Sequence, residues 1–464
     1  MLYGFEKKIR FKTILLSLTL TCSSYVNGKD LINTLTIAMQ NNYELKSAES
    51  SLTSAEYEKY TSRSGYLPSI NLSASTNWNI NETEKSGESN DDNQYNNHDV
   101  TVRISQTLLD FSTVNDIKKS NHNYTIESLR YKKTQEKIIK EVSEAYIDYL
   151  KTMSIKRTTE LEVKFAKKRL NGMERSFELG NIAKSILYET EASYYRALND
   201  LTAINKDIDI SLDSLFKLVR VQITPSYDIS PDAIINPIDD DMQKKLTYTT
   251  LNDNLEINIA RETLTKTRTE IKQKKSTFLP TLKANITQTF DDSNNETATV
   301  GNLNGKSSSL VYSLNLEVPI FNGGNSYYQT KKAYEDASKA SHDLDNTINN
   351  VRFDLKRIIH DINANAISIG PLKNSIRSNQ GAHQGQIKAF QAGTRTITDV
   401  LTSEKLLFNS IRDYYDTHYE YFLNLIRLQE VQGDLDLEDI SFLSKKMIKL
   451  DPGEPLKIPT FTTH

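Results

Sequence analysis

The 464-residue sequence predicts a membrane protein of mixed α and β class. Each chain should carry four membrane β-strands, long coiled-coil helices and an internal two-fold repeat. Three observations predict this. First, Gly65-Tyr66-Leu67-Pro68-Ser69-Ile70-Asn71-Leu72 returns 212 residues later as Thr277-Phe278-Leu279-Pro280-Thr281-Leu282-Lys283-Ala284. The same offset carries Gln106-Thr107-Leu108-Leu109-Asp110 onto Val318-Pro319-Ile320-Phe321-Asn322. One residue more carries Phe177-Glu178-Leu179-Gly180 onto Phe390-Gln391-Ala392-Gly393. Second, short segments in each half alternate apolar and polar residues with period two. Third, long stretches almost free of proline and glycine separate them.

Residues 1–28 read as an export signal. Lys7, Lys8, Arg10 and Lys12 precede a short apolar run, Ile14 to Leu20, and Val26-Asn27-Gly28 offers a cleavage site. The run is too short to span a bilayer. Cys22, the only cysteine, lies in this segment, and lipid attachment there stays open. A remainder without cysteine suits an oxidising compartment without a disulfide framework. The whole chain has a formal charge of −3, which gives no support to nucleic-acid binding.

The first repeat spans 29–235. Leu31, Leu35, Ala38, Met39, Leu45, Ala48, Leu52 and Ala55 recur at helical spacing, so residues 30–64 are expected as one helix ended by Pro68. Then Ile70, Leu72, Ala74, Thr76, Trp78 and Ile80 alternate with polar residues as a strand of about eleven residues. A polar, structureless loop is expected at 81–99. Val100, Val102, Ile104, Gln106 and Leu108 form the return strand. From 112 to about 172 a helix of roughly 90 Å is expected, and a second from 183 to 219.

The second repeat, 242–433, copies the first after a proline-bearing acidic linker at 236–241. Leu282, Ala284, Ile286, Gln288 and Phe290 alternate in one strand. Leu310, Tyr312, Leu314, Leu316 and Val318 alternate in the next, with a polar loop at 291–309. Helices are expected from 327 to about 390 and from 394 to 431. Residues 434–464 add a further helix and a proline-rich tail.

Strands of this length, paired by polar loops, carry the weak signature of a membrane β-barrel. Apolar content is 37%, below the usual ~45–50%, and the long helices should carry narrow apolar stripes in coiled-coil packing. Four strands cannot close around a lumen, and open sheet edges are not tolerated in lipid. Several chains must therefore share one barrel, and three would give twelve strands.

This layout resembles the TolC family of outer-membrane efflux and secretion channels, specifically its TolC-type subgroup. The residues that carry the resemblance are Tyr66-Leu67-Pro68-Ser69-Ile70, Phe278-Leu279-Pro280-Thr281-Leu282 and Leu316-Glu317-Val318-Pro319-Ile320-Phe321-Asn322-Gly323-Gly324. The most specific is Ala392-Gly393-Thr394-Arg395-Thr396-Ile397-Thr398-Asp399-Val400-Leu401. The resemblance implies a homotrimer with a twelve-stranded barrel in the outer membrane, continued by a periplasmic α-helical barrel. It also implies partners: a periplasmic adaptor and an inner-membrane transporter.

Two tips, at 178–185 and 391–398, should reverse the long helices around Gly180 and Gly393. By resemblance, Gly180, Asn181, Gly393 and Thr394 would meet the adaptor. Arg395 and Asp399 are four apart, which is expected to place both on one helix face. By resemblance, Arg395 belongs to a gate lock and Asp399 to an acidic constriction ring. Crowded Asp399 carboxylates would favour cation capture or raised pKa values. The sequence departs from the family pattern at Thr402, Phe390, Ser185 and Ile186. These stand where the family has a second ring aspartate, a lock tyrosine and a lock Thr-Asp pair. A gate with fewer polar links and a weaker ring is expected.

No catalytic constellation, phosphate loop or metal-ligand spacing is present, and no cofactor is implied. Tyr188, Tyr194, Tyr195, Tyr414, Tyr415, Tyr419 and Tyr421 are expected as packing between helices. The competing reading is a secreted or surface-attached coiled-coil adhesin or structural protein, with water-soluble strands.

Overall fold

A computed structural model describes residues 30–83, 91–230, 233–294, 304–444 and 447–449. The signal segment with Cys22 and the tail at 451–464 lie outside the described residues. Four long strands form one antiparallel sheet: β1 (Ser69–Thr83), β2 (Asp91–Leu109), β4 (Thr281–Asn294) and β5 (Asn304–Glu317), in the order β1-β2-β4-β5. The register stacks apolar residues across all four. Ile70 pairs Ile104, Ile104 pairs Ile286, and Ile286 pairs Tyr312. On the opposite face Ser73, Thr101, Thr289 and Ser309 form a matching polar row. The apolar face is bare: Leu72 is 72% exposed and Leu314 70%. Within one chain, β1 and β5 are free edges.

The strands run further than the apolar pattern predicts. Residues 91–99 and 304–309 belong to β2 and β5, and β4 extends to Asn294, so the expected loops at 81–99 and 291–309 are largely strand. Antiparallel pairing needs only backbone partners. Beyond the span that lipid covers, nothing requires apolar alternation, so these polar extensions carry no period-two signal.

The expected first helix is two, α1 (Leu31–Asn41) and α2 (Tyr43–Ser64). Asn42 divides them: its Oδ1 accepts from the Glu44 and Leu45 N–H groups at 2.8 and 3.2 Å. The second repeat does the same at Asn254, between α5 (Asp240–Asp253) and α6 (Leu255–Ser276). A short polar side chain that satisfies the first amides starts a new helix at low cost.

Two helical hairpins descend from the sheet: α3 (Phe111–Glu178) with α4 (Lys184–Val219), and α7 (Asn325–Gln391) with α8 (Ile397–Gln432). The 68 residues of α3 make roughly 100 Å of helix. Pro371 sits inside α7 without ending it. Side chains along α3 show which helix lies beside it. Asp116, His122 and Lys133 meet Gln273, Glu262 and Glu256 of α6. Lower down, Lys140, Glu144, Glu162 and Arg169 meet Glu430, Arg427, Arg412 and Glu404 of α8. Thus α8 and α6 stack end to end, both antiparallel to α3. Near the sheet the order is α2-α3-α6-α7; near the tips it is α4-α3-α8-α7.

The main core lies where these layers change over. Tyr146, Tyr414, Tyr419 and Phe422 are fully buried there with Leu31, Leu35, Ile147 and Leu150. A small sheet absent from the sequence reading closes it: β3 (Tyr227–Ile229) pairs β6 (Met447–Lys449), after α9 (Leu437–Ser444). Tyr419 donates to Asp228 Oδ1 at 2.7 Å, and Tyr146 donates to the Tyr227 carbonyl at 3.1 Å. The linker is pinned too: Ile238 N–H donates to Asn363 Oδ1 at 2.6 Å, and Tyr421 donates to the Asn236 carbonyl at 3.0 Å.

The tyrosines divide. Tyr414, Tyr415, Tyr419 and Tyr421 are buried as expected, but Tyr188 and Tyr195 are 53% and 57% exposed. Both stand on α4, which packs chiefly on α3 and leaves its other face uncovered within one chain.

Candidate functional site: the two helical tips

Both tips are built by the same backbone device. At the first, Gly180 N–H donates to the Phe177 carbonyl at 2.8 Å, and Asn181 N–H to the Ser176 carbonyl at 2.9 Å. At the second, Gly393 N–H donates to Phe390 and Thr394 N–H to Ala389, both at 2.9 Å. This paired closure requires a left-handed residue just past the helix. Gly180 and Gly393 supply it with φ of 75° and 73°. A Cβ at either would meet no atom within 4 Å, so glycine is there for its backbone and the surface around it is open.

The tips differ at the next helix start. Ala183 gives α4 no side-chain cap, whereas Thr396 caps α8 in a reciprocal pair with Asp399. Asp399 N–H donates to Thr396 Oγ1 at 3.3 Å, and Thr396 N–H donates to Asp399 Oδ2 at 2.9 Å. That places Arg395 outside the helix, before the cap. Arg395 and Asp399 do not share a helix face. Among the described residues Asp399 bonds Thr396 rather than Arg395, whose side chain is exposed, and Ser185 does not reach Arg395. The Asp399 carboxyl is held below its usual value, first by the Thr396 N–H, then by the Thr396 hydroxyl, with a smaller contribution from Arg395. Within one chain this opposes the raised value expected from a crowded ring.

Of the remaining positions, Ser185 and Thr402 are exposed, while Phe390 and Ile186 are half-buried. Thr402 lines a cavity of about 550 Å³ between α4 and α8, with Thr398, Glu189, Arg196 and Lys405. Thr398 donates to Glu189 Oε2 at 3.1 Å and so ties α8 to α4. The sequence carries no signal for this link, because Glu189 lies a full turn beyond Ser185 and matches no motif. Farther from the tip, Arg169 of α3 forms a two-pronged pair with Glu404 of α8, one prong at 2.5 Å. Both are buried. His383 of α7 stands 3.7 Å from the same carboxylate and 3.0 Å from Ser403 Oγ. Its pKa is lowered, chiefly by burial. Arg412 pairs with Glu162 one layer above.

Among the described residues no group of His, Cys, Asp or Glu could hold a metal ion, and no helix is long and apolar enough to cross a membrane. Comparison with known proteins accounts for the architecture. The family described as outer membrane efflux protein matches residues 34–219 and 246–434, one block in each half. Outer membrane protein TolC of Vibrio cholerae is 24% identical over 421 residues, covering 90% of this chain and 94% of its own. Alkaline protease secretion protein AprF of Pseudomonas aeruginosa is 20% identical, over 89% of this chain and 86% of its own. The Campylobacter jejuni CmeC outer membrane channel shares the fold with a TM-score of 0.74 at 16% identity, over 90% and 89% of the two chains. The outer membrane protein VceC of Vibrio cholerae gives 0.73 at 15%, over 87% and 96%. The chain belongs to the outer membrane efflux protein family and is an outer-membrane channel protein, not an enzyme.

Proposed function

We propose that three copies of the chain close into one tube, the passive exit duct of a tripartite export system. The observation that carries this is the open sheet. Its apolar face is bare and, among the described residues, β1 and β5 have no outer partners, an arrangement lipid does not tolerate. The helix layer is open in the same way. Tyr188 and Tyr195 on α4 are exposed at one edge, Phe353 and Ile367 on α7 at the other. One open edge meeting its opposite on the next copy makes a head-to-tail interface that closes as a ring. Three copies supply twelve strands, a barrel with room for a lumen. Native mass measurement of the detergent-extracted protein tests this: three chains are expected, and a monomer contradicts it.

The gate is placed at the second tip. Parting α8 from α4 must break the Thr398–Glu189 bond, and parting it from α3 must break the Arg169–Glu404 and Arg412–Glu162 pairs. None of these links uses Phe390, Ser185, Ile186 or Thr402. Arg395, exposed and without an acceptor among the described residues, would be free to bond the neighbouring copy. Asp399 would contribute one carboxylate per chain to a ring, and Thr402 would leave that ring with a single acidic layer. The open surface around Gly180, Asn181, Gly393 and Thr394 suits docking of a periplasmic adaptor that connects the duct to an inner-membrane transporter. Relatives named for efflux and for protease secretion both span nearly the whole chain, so drugs, small solutes and secreted proteins are all within the reading.

A further inference from the structure

Where α8 ends and α6 begins, a cavity of about 400 Å³ opens between α3, α6, α7 and α8. Its size falls within the usual range for small-ligand sites. Charge bookkeeping around it is uneven. Each basic side chain on its wall bonds a carboxylate: Lys133 with Glu256 at 2.6 Å, Lys140 with Glu430 at 2.7 Å, Arg427 with Glu144 at 2.8 Å and Arg357 with Asp354 at 3.1 Å. Two carboxylates on the same wall are left over, Glu136 and Asp361.

Glu136 is the unusual one. It is only 3% exposed, and among the described residues its Oε1 has no hydrogen-bond partner. Lys132, one turn earlier on the same helix, reaches the Gly433 carbonyl at 3.5 Å. A buried carboxylate without a donor is costly to keep. Its pKa is accordingly pushed up to about 7, mainly by burial. Apolar wall is present beside it, at Leu255, Val351, Ile358 and Val431.

We propose that this cavity binds a small aliphatic amine. Its ammonium would donate to the Glu136 carboxylate, its stem would lie on Val351 and Ile358, and a second ammonium would approach Asp361 at the exposed mouth. An ammonium fits better than a metal ion. A metal would need several carboxylates converging, and no such group exists among the described residues. The inference rests on the fold of one chain and is independent of the gate.

Calorimetric titration of putrescine into the detergent-solubilised full-length protein tests it. One saturable site per chain is expected, weakened at least tenfold by Glu136→Gln. Asp361→Lys, at an exposed position, places a competing ammonium at the mouth and is expected to weaken binding comparably, which keeps the test alive if Glu136→Gln does not assemble. No saturable binding to the wild type, binding unchanged in either variant, or binding of succinate in place of putrescine overturns the proposal.

Discussion

The side-chain amide of Asn254 donates to the backbone carbonyl of Val431 at 2.7 Å. Its Oδ1 accepts from the Ile257 N–H at 3.0 Å. One residue therefore caps the start of α6 and the end of α8, welding two helices into one column. Asn42 repeats the arrangement, its amide donating to the Leu218 carbonyl at 3.2 Å where α4 ends below α2. Substitution Asn254→Ala removes both bonds and should cost about 1–2 kcal/mol. Asn42→Ala should cost a similar amount, and the two should add because the sites are separate. Thermal melts in detergent check this, and a double variant no less stable than either single one refutes the weld.

The residue that ends each column differs between repeats. Gly433 has φ of 80°, and a Cβ there would stand 2.6 Å from the Asp253 carbonyl oxygen. Its counterpart Arg220 takes the same left-handed conformation at φ 63° without glycine, its guanidinium 5.0 Å from the Tyr43 ring. Gly433→Ala must move backbone and should destabilise by about 1–3 kcal/mol. Arg220→Gly relieves about 1–2 kcal/mol of strain but loses a cation–π contact worth about 0.5–1 kcal/mol. A net change below about 1 kcal/mol is expected, so the pair of melts should separate clearly.

Arg169 and Glu404 form a buried pair, so removing one partner strands the other charge. Glu404→Gln and Arg169→Met should each destabilise by about 3–5 kcal/mol, and the double variant by less than their sum. A double-mutant cycle on denaturation midpoints measures the coupling. Strict additivity would show that the pair does not hold α8 to α3.

Asp228 predicts a pH dependence. Burial pushes its carboxyl from 3.8 to about 6. The folded chain therefore holds this proton more tightly than the unfolded chain. Its contribution to stability is present in full below about pH 4 and is lost as pH rises through about 6. Asp228→Asn keeps an acceptor for Tyr419 and removes the titration. Melting temperature followed from about pH 4 to about pH 7 should fall less steeply in that variant than in the wild type. Equal slopes would exclude Asp228 as the cause.

Much of this fold is legible in the sequence because its strongest signals are local. Alternation at 70–80 and 310–318 reports a face that lipid must cover, and Gly180 and Gly393 report a backbone conformation that few other residues take. The rest is not local. The pairing of Tyr227–Ile229 with Met447–Lys449 joins the middle of the chain to the far end of its described part, and three residues carry no period. The polar ends of β2 and β5 are ordered by backbone pairing alone. At the second tip, Gly393, Thr394 and Asp399 could be singled out by motif. The bond between Thr398 and Glu189 could not, because it depends on the rotation of α4 against α8. The helix face shared by Arg395 and Asp399 fails for a related reason: Thr396 captures Asp399 as its capping partner, and the helix begins after the arginine.

Single-channel current across a planar lipid bilayer tests the central claim most directly. The purified, detergent-extracted protein should insert and give discrete, long-lived conductance steps. Wild-type steps should be small, and Glu189→Ala combined with Arg395→Ala should enlarge them by loosening the second tip. A protein that stays in the aqueous phase without detergent and gives no steps would contradict the account.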